Sequence, residues 1–238
     1  MQRFDFSLLL EYAKQNNISL PDKSLKHLNI YANLLLEWNQ KINLTAITEP
    51  QEIIIKHFID SISILKYLKA EKGASIIDIG TGAGFPGMVL KIVRPDLDVT
   101  LLDGHAKRFL FLEDLQNNIG LKTNNLHIRA ELAGKDTAFR ENFDIAIARA
   151  VARLPILSEY CLPFVKVGGT FFAMKGPDAE NECNEAKNAL SILGGSEASL
   201  FNEALPKDNM RIIIKVKKKA KTPEKYPRAS AQISKKPL

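Results

Sequence analysis

The sequence predicts an α/β fold, a largely parallel seven-stranded sheet preceded by a small helical region. Three observations carry this expectation. First, Ile76-Ile77-Asp78-Ile79-Gly80-Thr81-Gly82-Ala83-Gly84-Phe85-Pro86-Gly87 passes from an apolar, β-branched run through an acid into four glycines within eight residues. That is the order of strand, tight turn and helix that opens a nucleotide-binding unit. Second, short apolar runs alternate with helix-like segments from Ala74 onward, the mark of βαβ units. Third, the residues before that point carry a helical rather than an alternating period.

Taken in order, a first helix is expected over Phe4 to Gln15. Leu25, Leu28, Ala32, Leu35, Trp38 and Ile42 recur at three- and four-residue spacing and predict a second. A polar turn over 43–48 follows, and Thr48-Glu49-Pro50-Gln51 reads as a capping box with an early proline. The helix it starts would bury Ile54, Phe58, Ser61, Leu65 and Leu68 on one face. Strands are then expected at 75–79, 99–102, 126–129, 144–148 and 169–174, with a closing pair near 198–203 and 210–217. Helices are expected between them, to Val93, over 106–118, over 154–166 and over 178–193. Three parts result: helical residues 1–72, a sheet-bearing part 73–217, and a basic tail 218–238.

The composition, 45% hydrophobic and 25% charged over 238 residues, is that of a globular chain able to bury a full core. No apolar run reaches the length of a membrane span, and the N-terminus lacks a signal-peptide pattern. Cys161 and Cys183 form no disulfide framework, which suits a reducing cytoplasm. The four histidines, His27, His57, His105 and His127, are scattered, and no metal is expected. The net charge of +6 is concentrated at the end: residues 215–238 hold nine cations against Glu224, leaving about −2 for the rest. Such a segment suggests a polyanion such as nucleic acid, or simply a solvated end.

The glycine loop admits two ligand readings. Gly82-Ala83-Gly84-Phe85-Pro86-Gly87 fits the dinucleotide fingerprint, whereas counting from Asp78 gives the D-x-G-x-G-x-G loop of S-adenosylmethionine-dependent methyltransferases. A pyrophosphate beside Asp78 would meet a like charge, while the ammonium of a methionine moiety would be attracted. A glycine-rich turn can also merely join strand to helix. The other strand ends add weight, because Asp103, Glu131, Arg149 and Lys175 follow apolar strands at the edge where α/β sheets bind ligands. Asp103, 23 residues beyond Gly80, stands where an acid commonly holds ribose hydroxyls.

With these elements in place the chain resembles the RsmG family, also called glucose-inhibited division protein B. The resemblance runs end to end through Asn43-Leu44-Thr45, His57-Phe58-Ile59-Asp60-Ser61, the loop 78–87, Asp103 with Arg108, Arg129-Ala130-Glu131, and Ala148-Arg149-Ala150-Val151-Ala152-Arg153. It implies a class I S-adenosylmethionine-dependent methyltransferase fold, with a Rossmann-like seven-stranded sheet and a small N-terminal helical subdomain. It further implies methyl transfer to N7 of a guanine in the decoding-region loop of 16S rRNA. The partner would be small-subunit RNA or a small-subunit particle, and the protein a monomer. Carried over position by position, the cofactor would touch Gly80, Phe85, Ala130, Glu131 and Arg149. Asp103 is added from fold logic.

The residues agree with such chemistry by what is missing. Guanine N7 has a lone pair and no proton, so attack needs alignment with the methyl group rather than a general base. An Asn/Asp-Pro-Pro-aromatic run, used on exocyclic amines, is replaced after strand four by Ala148-Arg149-Ala150-Val151. Cys161, in an apolar helical context, reads as core rather than as the nucleophile of carbon methylation. Arg149 and Lys175 are positioning candidates, and Lys107, Arg108 and Arg153 join Lys175 as candidate phosphate contacts. His57 is expected to orient the cleft, and Trp38, Phe109 and Phe111 to lie in the core. Two other readings stay open on the residues: a nicotinamide-dependent oxidoreductase using the same loop, and a non-catalytic RNA-binding module.

Overall fold

The computed structural model describes residues 2–238. Helices α1 (Ser7–Gln15) and α2 (Ser24–Asn39) open the chain, followed by a helical rod over residues 50–66. The rod consists of α3 (Pro50–Ile53), a π-helical segment Ile54–Ile59, α4 (Asp60–Ser63) and a 3-10 end Ile64–Lys66. Its cap lies one residue later than the expected Thr48, since the Glu49 carboxylate accepts the Glu52 N–H at 2.8 Å. The predicted single buried face is also too narrow. Ile53, Ile55, Ile59, Ile62 and Ile64 are buried along with Ile54 and Phe58, because the rod is walled in between α1, α2 and the sheet.

The remainder alternates β1 (Ser75–Ile79), α5 (Gly87–Val93), β2 (Asp98–Asp103), α6 (Ala106–Ile119), β3 (Asn124–His127), α7 (Ala130–Ala133), β4 (Phe143–Arg149), α8 (Leu154–Cys161) and β5 (Val165–Lys175). Then come α9 (Ala179–Glu185), α10 (Lys187–Ile192), β6 (Ser199–Leu205), β7 (Asn209–Lys217) and α11 (Ser230–Lys235). The seven strands lie in the order β3-β2-β1-β4-β5-β7-β6. β1 to β5 are parallel, and β7 runs antiparallel between β5 and β6. The direction of winding reverses between β1 and β4, which puts the ligand crevice at their C-terminal ends.

Several boundaries differ from expectation, two of them with a plain cause. β3 lies two residues earlier than the expected 126–129, because it pairs with β2 from Asn124 against Thr100 to His127 against Asp103 and ends where β2 ends. The helix expected to 166 stops at Cys161, and a 3-10 turn Leu162–Phe164 containing Pro163 leads straight into β5. The helix expected over 178–193 is broken at Ala186 into α9 and α10.

Each sheet face has its own core. Phe4, Leu9, Leu28, Tyr31 and Phe58 of the N-terminal region share one cluster with Met88 and Val89 of α5, Phe111 of α6, and Val99 and Leu101 of β2. The other face holds Leu154, Leu157, Cys161, Phe164, Leu190 and, from the chain end, Tyr226. The basic end is therefore packed. Lys218 Nζ is buried and donates to the Leu162 carbonyl at 2.7 Å, and burial pushes it down to about 8. Arg140 donates to the carbonyls of Thr222 (2.6 Å) and Tyr226 (2.8 Å), and Arg228 meets the fully buried Glu159 at 2.7 Å. Lys218 and Arg228 thus belong to the fold, while Lys219, Lys221, Lys225, Lys235 and Lys236 remain exposed. None of the described helices is long and apolar enough to cross a membrane.

Candidate functional site

The glycine loop follows β1 at the crevice, with Gly80 against Val151 of the segment after β4. Gly80 has φ +70°, and a Cβ there would come within 2.7 Å of Val151 Cγ2. Gly84, at φ +92°, would set a Cβ 2.6 Å from Tyr31 Oη. Both positions require glycine twice over, by conformation and by close approach. Pro86 stands one residue ahead of α5, at its N-cap.

Asp78 organises the loop from beneath. Its Oδ2 accepts the Gly87 N–H at 2.8 Å and the Thr81 hydroxyl at 2.6 Å, while Oδ1 is buried with no partner among the described residues. Burial pushes this carboxyl up to about 6, partly offset by those two hydrogen bonds. The amides at the start of α5 are spent. Gly84 N–H and Phe85 N–H both donate to the Thr81 carbonyl, Pro86 has none, and Gly87 N–H is held by Asp78. Farther along the loop, Gly80 and Thr81 donate to the Leu102 carbonyl and Gly82 to Asp103 Oδ2 at 3.0 Å. A pyrophosphate seeks such amides free at a helix N-terminus. Here a carboxylate already occupies that position.

The Phe85 side chain is packed inside the protein. Its ring lies between Tyr31 (centroids 5.0 Å apart, planes 1° apart) and His57 (4.3 Å, 8°), with the Arg149 guanidinium 5.2 Å from its centroid. Tyr31 Oη also donates to the Ala83 carbonyl. The loop is thus fastened to α2 and to the π-helical segment. His57 links further, with Nε2 2.9 Å from Thr45 Oγ1 and Nδ1 3.4 Å from Arg149. Burial, reinforced by the Arg149 cation, pulls His57 down to about 3, so the ring is neutral at physiological pH.

Arg149, expected to offer its fork to a cofactor or phosphate, spends it inside the protein. It donates to Asp60 Oδ2 at 2.8 Å and to the Lys56 carbonyl at 3.0 Å. Asp60 is fully buried and also accepts Arg211 Nε at 3.1 Å. Lys175 is likewise committed: its Nζ is 2.7 Å from Glu182 and donates to the Ala152 carbonyl. Glu182 also holds the Leu154 N–H at 2.6 Å, so this pair fixes the 150–154 loop that abuts Gly80.

Asp103 stands beside the loop as expected. Its oxygens take the Gly82 and His105 amides and the Arg108 guanidinium at 2.7 Å. Ala130 begins α7, and Glu131 in its first turn is buried against Arg129 at 2.6 Å. Of the candidate phosphate contacts, Arg153 pairs with Asp178 and Glu185, Arg108 with Asp103 and Lys175 with Glu182; Lys107 forms no ion pair among the described residues. Lys107 and Arg108 line a polar cleft of about 370 Å³ with Lys41, Asn43, Leu44 and His105. Cys161 is buried, with its thiol pushed well up by burial, and Phe109 and Phe111 lie in the core. Trp38 is only partly buried and donates to Asp114 at 2.7 Å.

The sequence reading gives Tyr31 no part in the site, and Thr45 enters it only within the Asn43-Leu44-Thr45 run. The periodicity did hold a signal for Tyr31, three residues after Leu28 and four before Leu35.

Residues 24–210 match the family model GidB, described as rRNA small subunit methyltransferase G. Curated proteins named ribosomal RNA small subunit methyltransferase G include one from Acetivibrio thermocellus, 51% identical over 97% of this chain and 96% of its own. Another, from Thermoanaerobacter sp., is 47% identical over the full length of both. Among solved structures, TrmN from Thermus thermophilus aligns with a TM-score of 0.53 at 18% identity, covering 67% of this chain and 48% of that one. A precorrin-6y C5,15-methyltransferase from Geobacter metallireducens aligns at 0.50 and 16%, covering 74% and 91%. These structural likenesses concern the fold, that of class I methyltransferases. The sequence matches span nearly the whole chain, glycine loop and N-terminal helices included, and on them the chain belongs to the rRNA small subunit methyltransferase G family.

Proposed function

We propose that this protein transfers the methyl group of S-adenosylmethionine to ring nitrogen N7 of a guanine in the decoding-region loop of 16S rRNA. One observation carries the choice of cofactor. The amides that open α5 are engaged inside the protein, Gly87 N–H by the Asp78 carboxylate and those of Gly84 and Phe85 by the Thr81 carbonyl, so that helix end offers no amide cluster to an anion. This disfavours a pyrophosphate, and with it the nicotinamide reading, and it suits a cofactor whose nearest polar group is cationic. The relatives' names supply the substrate class.

The residues fit such a cofactor. Gly80 sits against Val151 while Gly82 has open space where a Cβ would stand, Asp103 at the end of β2 suits ribose hydroxyls, and Ala130 and Glu131 border the same end of the sheet. Phe85 and Arg149 would contribute main-chain groups, since both side chains are engaged elsewhere. When bound, the sulfonium supplies an electrophilic methyl group. Everything else is alignment. The Tyr31–Phe85–His57 stack and the Arg149–Asp60 pair hold the loop rigid, and no nucleophile is called for, in keeping with the buried thiol of Cys161. Lys107 and Lys41 give the polar cleft a cationic rim for RNA phosphates.

The test is transfer of label from S-adenosylmethionine to small-subunit RNA and particles from a strain lacking the modification. Label in 7-methylguanosine is the expected result. Label in another nucleoside would overturn the atom assignment. Thermal protection by a nicotinamide cofactor, with none by S-adenosylmethionine, would overturn the cofactor.

A further inference from the structure

The segment between α2 and α3 contains a hydroxyl with a fixed polarity. Asn39 Oδ1 accepts the amides of Leu44 (2.8 Å) and Thr45 (2.9 Å), so the turn is held in one conformation. Thr45 Oγ1 accepts the Ile47 N–H at 3.0 Å and lies 2.9 Å from His57 Nε2. The other His57 nitrogen, Nδ1, lies 3.4 Å from an Arg149 N–H, a group with donors only; the Lys56 carbonyl beside the ring also accepts from Arg149 at 3.0 Å and keeps a second lone pair. A neutral imidazole in this setting receives at Nδ1 and carries its proton on Nε2, which then donates to Thr45. Both lone pairs of the Thr45 oxygen are thereby filled. Its own proton has no acceptor among the described residues, and the side chain is only partly buried.

Thr45 is also well placed. Through His57 it abuts Phe85 of the glycine loop, and its neighbours Asn43 and Leu44 line the polar cleft with His105 and Arg108. We propose that Thr45 is a specificity-determining residue, a donor-only hydroxyl that reads the O6 carbonyl of the target guanine. This inference rests on the proposed methylation of guanine N7. The nucleophilic N7 must be left free, and O6 is the acceptor beside it on the same edge. Adenine presents an amino donor at that position. An ordinary threonine could rotate to accept from that amino group. This one cannot, because His57 and Ile47 hold both acceptor sites. Arg149 therefore acts at a distance, by fixing the His57 tautomer.

The test is a two-by-two comparison of methyl transfer to reconstituted small-subunit particles carrying guanine or 2-aminopurine, which lacks O6, at the target position. The enzymes are the wild type and Thr45→Val. Thr45→Val is expected to lower kcat/KM on guanine roughly 10- to 100-fold and to leave the 2-aminopurine rate unchanged. Thr45→Ser, which keeps the hydroxyl, is expected to restore transfer. Equal loss on both bases, no loss on either, or failure of serine to rescue would overturn the inference. Nitrogen-15 shifts of His57 should report the Nε2–H tautomer; the Nδ1–H form would turn the Thr45 proton onto the ring and overturn it as well. If wild-type enzyme labels no guanine at N7, the underlying function falls and takes this inference with it. Normal wild-type transfer with an indifferent Thr45→Val removes this inference alone.

Discussion

Asp78→Asn tests the account of the loop through stability. Burial raises the Asp78 carboxyl from its ordinary value of 3.8 to about 6. At ~1.4 kcal/mol per tenfold change, that rise is worth ~3 kcal/mol against the ionised form in the folded protein. The folded state then binds more protons than the unfolded state between those two values. Stability contributed by this group is fully present below about pH 4 and is lost as pH rises through about 6. Asparagine cannot titrate, keeps an oxygen for Gly87 and Thr81, and abolishes that dependence. The absolute offset between the proteins also contains the cost of an unpaired amide donor, of order 1–3 kcal/mol, so the informative quantity is the slope. Urea unfolding of both proteins from pH 4 to pH 7.5 gives it directly. Carboxyls lowered by their partners, such as Asp96 and Asp144, are common to both proteins and cancel in the difference. The wild type should lose ~3 kcal/mol relative to Asp78→Asn as pH rises across that window. Parallel curves, or a wild type that gains relative stability with rising pH, would refute the buried, ionised carboxylate under the loop.

Other perturbations probe the supports separately. Asp60→Ala strands Arg149 and Arg211 without their shared buried carboxylate and should cost about 3–5 kcal/mol by urea unfolding; a loss below about 1 kcal/mol would contradict the arrangement. Gly80→Ala combines a left-handed backbone with a 2.7 Å approach to Val151, so S-adenosylmethionine affinity by calorimetry should fall roughly tenfold or more with far-ultraviolet dichroism unchanged. Arg228→Ala leaves the Glu159 carboxylate buried without its cation and should cost about 3 kcal/mol, or roughly 6–12 °C in Tm by scanning calorimetry. An unchanged Tm would mean that the chain end is not fastened there.

The parts of the molecule legible in the sequence are those whose cause is local. The apolar runs of β1 to β5, the glycines that turn the chain after β1, and the acids and cations at the strand ends all follow from neighbouring residues. What Arg149 and Lys175 do could not be read that way. Asp60 lies 89 residues from Arg149 in the chain, and nothing in the periodicity of the rod marks that carboxylate as the partner of a cation on β4. The same limit applies to the chain end, where a run of lysines looks solvated until Glu141 and Glu159 are seen facing Lys218 and Arg228. A buried charge declares itself only through its counter-charge, and counter-charges are chosen by topology. Asp103 was legible because the offset from loop to second strand end is itself a local property of the βαβ unit.

The Tyr31–Phe85–His57 stack has a bearing on how this enzyme can be altered. The central ring comes from the glycine loop and its two neighbours from α2 and the π-helical segment, three pieces of chain far apart in sequence. A smaller residue at position 85 would leave a void that neither flanking ring can fill without dragging its own helix. Position 85 is therefore not free to vary alone. In a randomised library, substitutions at 31, 57 and 85 should survive as matched triplets, and grafting the 78–87 loop onto another sheet should fail unless both neighbouring rings travel with it.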